Sequence, residues 1–178
     1  MSEDQALDTP FWSFSLAVYG SDGVAAECLD LQDRYDLDVN LLLFAAFAGA
    51  AEGVTLSVDD ITAAAKSVED WHNDVVRVLR EARRTLKPMT ANEDDPLRVA
   101  ATSVRAQVKN AEINAEKVEQ AMLWAWSERH CEGRPRGDRH TALNANLDAA
   151  LAFYRADGRE QSSIIRLREA AARSIRKP

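Results

Sequence analysis

The chain has few of the residues that break helices or staple small domains. Seven Gly and five Pro occur in 178 residues, while Ala, Leu, Arg and Glu are plentiful, so the composition favours helices over strands. Two cysteines, Cys28 and Cys131, are too few for a disulfide-rich secreted domain, and we expect both to be reduced. The N-terminal segment also lacks the basic stretch of a signal peptide. These absences favour a cytoplasmic helical protein.

An apolar run of membrane-spanning length is also missing. The longest candidate, Val39 to Ala51, would measure about 20 Å as a helix, against roughly 30 Å of hydrocarbon in a bilayer. Its apolar residues lie all round the helix, which is typical of a buried helix rather than of one at a membrane surface. We therefore predict that this segment is enclosed by protein and that Asp38 caps its start.

Basic residues are scarce in the first third of the chain. Residues 1–60 contain twelve Asp and Glu but one base, Arg34, whereas residues 127–178 contain eleven bases and seven acids, within a net charge of -7. This asymmetry indicates that the two ends attract each other, or that the C-terminal region binds an acidic partner or nucleic acid. Nucleic acid is the less favoured partner, because an acidic protein repels phosphate backbones at long range.

The pattern predicts an all-α fold: a single compact helical domain of about six to seven helices with a long antiparallel hairpin. Helix signals include Thr9-Pro10 at the first helix, Gly49 or Gly53 at the end of the third, Pro88 at the end of the fourth and Asp95-Pro96 at the start of the fifth. We expect a disordered segment 1–8, a helical core 9–130, an Arg/Gly-rich loop 131–141 and a C-terminal helical pair 142–178 packed on the core.

Two long segments show the alternating 3-4 spacing of a coiled-coil seam. The first seam consists of Ile61, Ala65, Val68, His72, Val75, Leu79, Ala82 and Leu86, and the second of Leu97, Ala101, Val104, Val108, Ala111, Ala115, Val118, Met122 and Ala125. The short connection between the segments predicts that they pair as an antiparallel hairpin through these apolar positions.

The N-terminal region resembles a known family. The residues that carry the resemblance are Trp12, Phe14, Ser15, Leu16, Tyr19, Gly23, Val24, Ala25, Cys28, Leu29, Leu31, Gln32, Asp33, Asp38, Val39, Asn40, Leu41, Leu42 and Leu43. The pattern is similar to that of a proteobacterial family of conserved hypothetical proteins, catalogued as domain of unknown function 2390. It is strongest over residues 11–49 and weakens along the predicted hairpin. The resemblance implies no activity.

An acidic turn is the first candidate site. Asp33, Asp38 and Asn40 flank the turn between the second and third helices, and Asp30, Asp33 and Asp36 are spaced three apart. Such carboxylates can hold a magnesium ion for a phosphorylated substrate. The favoured interpretation is structural: Asp38 caps the third helix and Asn40 hydrogen-bonds a neighbouring segment.

Three aromatic or imidazole residues, Trp12, Trp71 and His72, join Asp33, Asp38 and Asn40 as members of one candidate ligand or partner site. His72 lies on the first seam beside Trp71, where a histidine is usually hydrogen-bonded to a core neighbour, and we predict no metal there. Trp124 and Trp126 are two residues apart on one helix, so their rings must face different ways, and one of them is expected to line a groove.

The other candidates lie in the C-terminal third. His130, Cys131 and His140 offer zinc-type donors, but their spacing matches no known finger, so a loop with incidental residues is favoured. Arg159, Arg166, Arg173 and Arg176 predict a basic surface on the last helix, for an acidic protein surface or for nucleic acid. No motif of a phosphate loop, a serine nucleophile or a zinc protease is present.

We therefore expect a non-enzymatic, cytoplasmic protein-interaction or regulatory module, with no cofactor, that binds another protein or itself through a groove formed by the hairpin and the N-terminal helices. The first alternative is a metal-dependent or small-ligand-binding enzyme that uses Asp33, Asp38 and Asn40. The weaker alternative is nucleic-acid binding through the C-terminal arginines.

Overall fold

The chain is all-α, as predicted. A computed structural model describes residues 7–91, 96–154 and 164–175, and in these ranges it contains helices and no strand. The helices are α1 (Pro10–Tyr19), α2 (Val24–Tyr35), α3 (Val39–Ala50), α4, α5 (Arg98–His130), α6 (Arg139–Phe153) and α7 (Ile165–Ile175). Helix α4 runs without interruption through Val58–Trp71, the π-helical turn His72–Val76 and Arg77–Met89. The predicted disordered segment falls largely outside the described ranges, as does Asp95 at the predicted start of α5.

The residues cluster into two compact units. The core unit consists of the residues up to Ser67 and those from Gln120 onward, and the hairpin unit consists of Val68–Glu119. Helix α3 lies in the core unit with α1, α2, α6 and α7. The hairpin unit contains the second part of α4 and the first part of α5. Helices α6 and α7 pack against α3 within the core unit. The domain bounds expected from the sequence, a core of 9–130 and a C-terminal pair of 142–178, stay predictions.

Helix α3 forms the centre of the core unit. Every residue from Asn40 to Ala50 is buried, so the predicted burial of this apolar segment is confirmed. Phe11 of α1 packs on Phe44 and Phe47 with ring centroids 5.6 and 5.4 Å apart. Asp38 caps the helix by accepting a hydrogen bond of 2.8 Å from the backbone N–H of Asn40. A helix that is apolar on all sides is stable here because neighbouring helices cover each side.

Helices α3 and α6 cross closely at Gly49. A Cβ placed on Gly49 would lie 2.5 Å from the backbone Cα and N of Leu143, so only glycine permits this approach. Gly49 therefore lies inside α3 and does not end it; the helix continues to Ala50. Gly53 follows with a φ of 67° and reverses the chain, and its carbonyl accepts a hydrogen bond of 2.9 Å from the N–H of Gly137.

A buried asparagine of α6 connects three segments of the core unit. Asn146 has no exposed surface, and its Oδ1 accepts a hydrogen bond of 2.7 Å from the N–H of Leu56. Its Nδ2 donates to the carbonyls of Ala45, at 3.1 Å, and Val54, at 2.8 Å. The amide thereby satisfies backbone groups that would otherwise be buried without a partner. The sequence analysis did not single out Asn146.

The two parts of the hairpin unit run antiparallel, as predicted, but four of the seventeen predicted seam positions are exposed. Val76 is fully buried where Val75 was expected, and Ala82 is exposed. On α5, Leu97 and Val104 are 69% and 48% exposed. The cause on α4 is the π-helical turn, in which the N–H of Arg77 bonds to the carbonyl of His72 and one extra residue shifts the inward face.

In the parts of the chain that the structure describes, no helix combines the length and the apolar character required to cross a bilayer. Helix α4 also continues one residue past Pro88, to Met89, so proline does not end it at the predicted position.

Candidate functional site

The acidic turn is a structural element of the core unit. Asp38 and Asn40 are both 5% exposed, and the Oδ1 of Asn40 accepts a hydrogen bond of 2.8 Å from the Nε2 of Gln120, which is also buried. Asp33, in contrast, is exposed on α2. The structure thus brings two of the three predicted residues into one buried network and leaves the third at the surface. Asn40 makes the predicted bond to a neighbouring segment, and its partner Gln120 was not foreseen.

The other three residues of the candidate ligand or partner site belong to different units. Trp12 is half-buried in α1 of the core unit. Trp71 and His72 lie in the hairpin unit, where the Nε1 of Trp71 donates a hydrogen bond of 3.0 Å to the carbonyl of Ala115. The Nδ1 of His72 lies 2.8 Å from the Oε1 of Glu119, whose side chain is fully buried. His72 therefore has the hydrogen-bonded partner that its place on the seam predicts, and it opens the π-helical turn.

The interior of the hairpin unit contains an ionic cluster. Arg80 lies 3.3 Å from Glu112 and 2.9 Å from Glu116, and Arg83 forms a second ion pair with Glu112. The side chains of Arg80 and Glu112 are only 11% and 6% exposed. A buried acid that is hydrogen-bonded to two guanidinium groups is compensated, whereas removing one partner would leave a costly buried charge. This cluster was not predicted, because the 3-4 spacing assigns the inward positions to apolar residues.

Large apolar side chains lie on the outside of the same unit. Six of the ten exposed large apolar residues in the described ranges belong to the hairpin, and they are 39% to 73% exposed. We call them the outer apolar set: Val78, Met89, Leu97, Val99, Val104 and Ile113. No residue of Arg77–Met89 is buried. The interior of the hairpin unit therefore combines the ionic cluster with the buried apolar residues Val68, Val76 and Ala115, while six larger apolar side chains remain exposed.

The core unit contains a cavity of about 460 Å³. The end of α3 and the segment after it supply Phe47, Ala48, Glu52 and Val54, the end of α5 supplies Trp124, Ser127, Glu128 and Arg129, and the following loop supplies Cys131, Glu132, Gly133 and Arg136. The ring of Trp124 meets that of Phe47 edge to face at 5.6 Å. Trp126 is instead buried against Phe44 at 5.9 Å. The two rings face different ways, as their spacing requires, and Trp124 is the one that lines an opening.

Ion pairs hold the loop that forms one side of the cavity. Arg134 donates to both carboxylate oxygens of Asp60, at 3.0 and 2.6 Å, and this bond holds the pKa of Asp60 well below its usual range. Arg136 donates to the Glu52 carboxylate at 2.9 Å and to its backbone carbonyl at 3.0 Å. Burial raises the pKa of the Cys131 thiol, so this cysteine is a neutral thiol at neutral pH.

The zinc-type donors of the C-terminal third do not converge. The His130 ring stacks on Trp126 with centroids 4.6 Å apart, and its Nδ1 lies 2.8 Å from the Trp126 carbonyl. His140 is exposed in the first turn of α6. Within the described residues these two histidines and Cys131 do not form a set of donors for one ion.

The structure describes two of the four arginines that were predicted to form a basic surface. Arg166 and Arg173 are exposed on α7, and Arg159 and Arg176 lie outside the described ranges. The Glu27 carboxylate of α2 accepts hydrogen bonds of 2.9 Å from the backbone N–H groups of Arg166 and Leu167. An acid of the N-terminal third thus caps the C-terminal helix, which fits the expected attraction between the two ends of the chain.

These features define the class: an all-α protein in which a helical core unit holds a small cavity and a helical hairpin holds an ionic cluster. The chain belongs to the family described as Protein of unknown function (DUF2390), whose model matches residues 10–123. The match confirms the resemblance found at the N-terminal end and extends it through the hairpin. It ends before Trp124, so one side of the cavity lies beyond the matched residues. No curated protein and no solved structure matches the chain.

Proposed function

We propose that this protein is a non-enzymatic interaction module of the cytoplasm that binds a helical segment of a partner protein along its hairpin. The observation that carries the proposal is the concentration of exposed large apolar side chains, the outer apolar set, in Val68–Glu119, whose interior is partly occupied by ion pairs. A catalytic role for the acidic turn is less well supported, since Asp38 and Asn40 serve as a helix cap and a buried bond to Gln120.

The physical reason is that two helices alone cannot enclose a core. Burying a Val, Leu or Met side chain contributes roughly 1.5–3 kcal/mol to stability. The side chains of the outer apolar set are exposed, so they contribute only a small part of this stabilisation. Single exposed apolar residues are normal, but their concentration in one unit is typical of an interaction surface. A partner helix with apolar residues at positions i, i+3, i+4 and i+7 would cover the members of this set that share one side of the hairpin, such as Val99 and Ile113 on α5.

The test compares two exposed substitutions with a matched control. Val99 and Ile113 are 73% and 39% exposed and lie fourteen residues apart on one side of α5, so Val99→Lys with Ile113→Lys places charge on that side without opening the interior. Leu16→Lys is the control, because Leu16 is 57% exposed in the core unit. We expect affinity capture at native abundance to recover at least one protein with the unchanged chain and with Leu16→Lys. The double variant should lose that protein, and the purified pair should show the same difference in Kd of about tenfold or more.

Two results would overturn the proposal. One is that no captured protein depends on the hairpin substitutions. The other is that sedimentation equilibrium of the purified chain shows self-association that the double variant abolishes, because a second copy would then occupy the surface assigned here to a different protein.

A further inference from the structure

We propose that the cavity of the core unit binds a small aromatic ligand that carries a positively charged amine. The cavity is lined only by residues outside the hairpin, so this site does not depend on the partner surface proposed above. Its volume of about 460 Å³ falls within the range of roughly 300–1,000 Å³ that is usual for small-molecule sites.

The apolar part of the lining favours a flat ring. Phe47, Ala48 and Val54 are buried, and Trp124 is half-buried with its ring edge to face against Phe47. Aromatic rings prefer edge-to-face or offset-stacked neighbours, so a third ring can join this pair at favourable geometry. The Cys131 thiol adds a neutral, polarisable sulfur to the same lining, because burial raises its pKa.

The charged part of the lining favours a cation. Arg136 is already paired with Glu52, so these two charges offset each other. The other charged residues among the described lining are Glu128, Glu132 and Arg129, all exposed, so the lining carries one more negative than positive charge. An ammonium group is attracted both by carboxylates and by the face of an indole ring, and a carboxylate-bearing ligand is repelled by the same groups.

Because Cys131 is a neutral thiol at neutral pH, it does not form a covalent bond with the ligand. A thiolate is the nucleophilic form, and burial disfavours it here. The ligand is therefore bound non-covalently, by one ring contact and one charge contact. Specificity requires both in the same molecule.

The experiment uses three probes and the full chain. Phenethylamine carries a ring and an ammonium group, phenylacetate carries the ring with a negative charge, and butylamine carries the ammonium group without the ring. We expect isothermal titration calorimetry to show that phenethylamine binds about tenfold tighter than either of the other two. The double variant Glu128→Gln with Glu132→Gln should weaken phenethylamine binding about fivefold or more, while Glu169→Gln, an exposed change on α7, should leave the Kd unchanged.

A second readout locates the ligand. The tryptic peptides of Cys28 and Cys131 differ, so mass spectrometry can follow N-ethylmaleimide labelling of each thiol in the unchanged chain. Labelling of Cys131, which lines the cavity, is followed at mildly alkaline pH because its buried thiol reacts slowly, and phenethylamine should slow it further. Cys28 reports that the fold is intact, because its buried thiol should stay unlabelled in native protein with and without phenethylamine. Absence of phenethylamine binding, equal binding of phenylacetate, insensitivity to the double variant, or unprotected labelling of Cys131 would each overturn the proposal.

Discussion

Replacement of Asn146 by Ala should cost the core unit a large part of its stability. The side chain is fully buried and makes three hydrogen bonds to backbone groups of Ala45, Val54 and Leu56. Its removal leaves the Leu56 N–H and the Val54 carbonyl buried without these partners, and each such group costs about 1–3 kcal/mol. The Ala45 carbonyl contributes less, because the regular hydrogen bonding of α3 gives it a second partner.

The expected net effect is about 2–4 kcal/mol of lost unfolding free energy. Ala is the better helix former by roughly 0.5 kcal/mol, which offsets a small part of the loss. A chain of this kind has a total stability of about 5–15 kcal/mol, so the change is easily measured. Urea unfolding followed by far-UV circular dichroism should show a lower midpoint with an unchanged slope.

Asn144→Ala provides the matched control. Asn144 lies two residues earlier on α6, is exposed, and accepts a hydrogen bond from the half-buried Arg168 side chain. Its replacement should change the free energy of unfolding by no more than about 0.5 kcal/mol. If Asn146→Ala costs less than about 1 kcal/mol, or no more than Asn144→Ala, then the buried amide does not hold the three segments together as argued here.

Three further changes test other contacts of the core unit. Gly49→Ala should lower the free energy of unfolding by about 1–3 kcal/mol, measured in urea, because the added Cβ meets the backbone of Leu143. The pair of Asp60 with Arg134 lowers the folded-state pKa of Asp60, so its stabilisation is present above about pH 4 and is lost as pH falls below that value. Thermal melts of the unchanged chain and of Asp60→Asn should therefore differ at neutral pH and converge in acid; a constant difference would contradict the pair. Burial raises the pKa of Cys28 to about 12, so native protein should not react there with maleimide at neutral pH, while urea-unfolded protein should; rapid native labelling would refute its burial.

The central helix could be predicted from sequence because its signal is local. An apolar run with Asp38 before it, and too short for a membrane, has few other stable environments, and the structure buries it from Asn40 to Ala50. The fold class could be predicted in the same way, because helix periodicity and helix caps depend on residues close together in the sequence.

The hairpin seam could be predicted only in part, because a single turn changes its phase. A heptad reading assumes a constant number of residues per turn, and the π-helical turn at His72–Val76 adds one residue to α4. Beyond it, the inward positions pass to Arg80 and Arg83, whose partners Glu112 and Glu116 lie about thirty residues away. Charged residues at inward positions can be recognised only when their partners are known.

The cavity could not be predicted, although one of its residues could. Trp124 and Trp126 are two residues apart, so their rings point to different sides of α5 and only one can be buried in the core. The other was therefore expected to line a groove. The other side of the cavity comes from the end of α3 and from the loop that carries Cys131 and Arg136, and no local pattern connects these segments. Asn146 was missed for the same reason, since its acceptors are separated from it by 92 and 101 residues.

The long separation between α3 and the residues that cover it has a consequence for synthesis in the cell. Ala45 precedes Asn146 by 101 residues, and translation at roughly 5–20 residues per second leaves α3 without α6 for about 5–20 s. During that interval the nascent chain displays its most apolar segment to chaperones and to other unfinished chains. Truncations that end before α6 should therefore accumulate as aggregates, and the yield of soluble full-length protein should fall when ribosomes pause before residue 139.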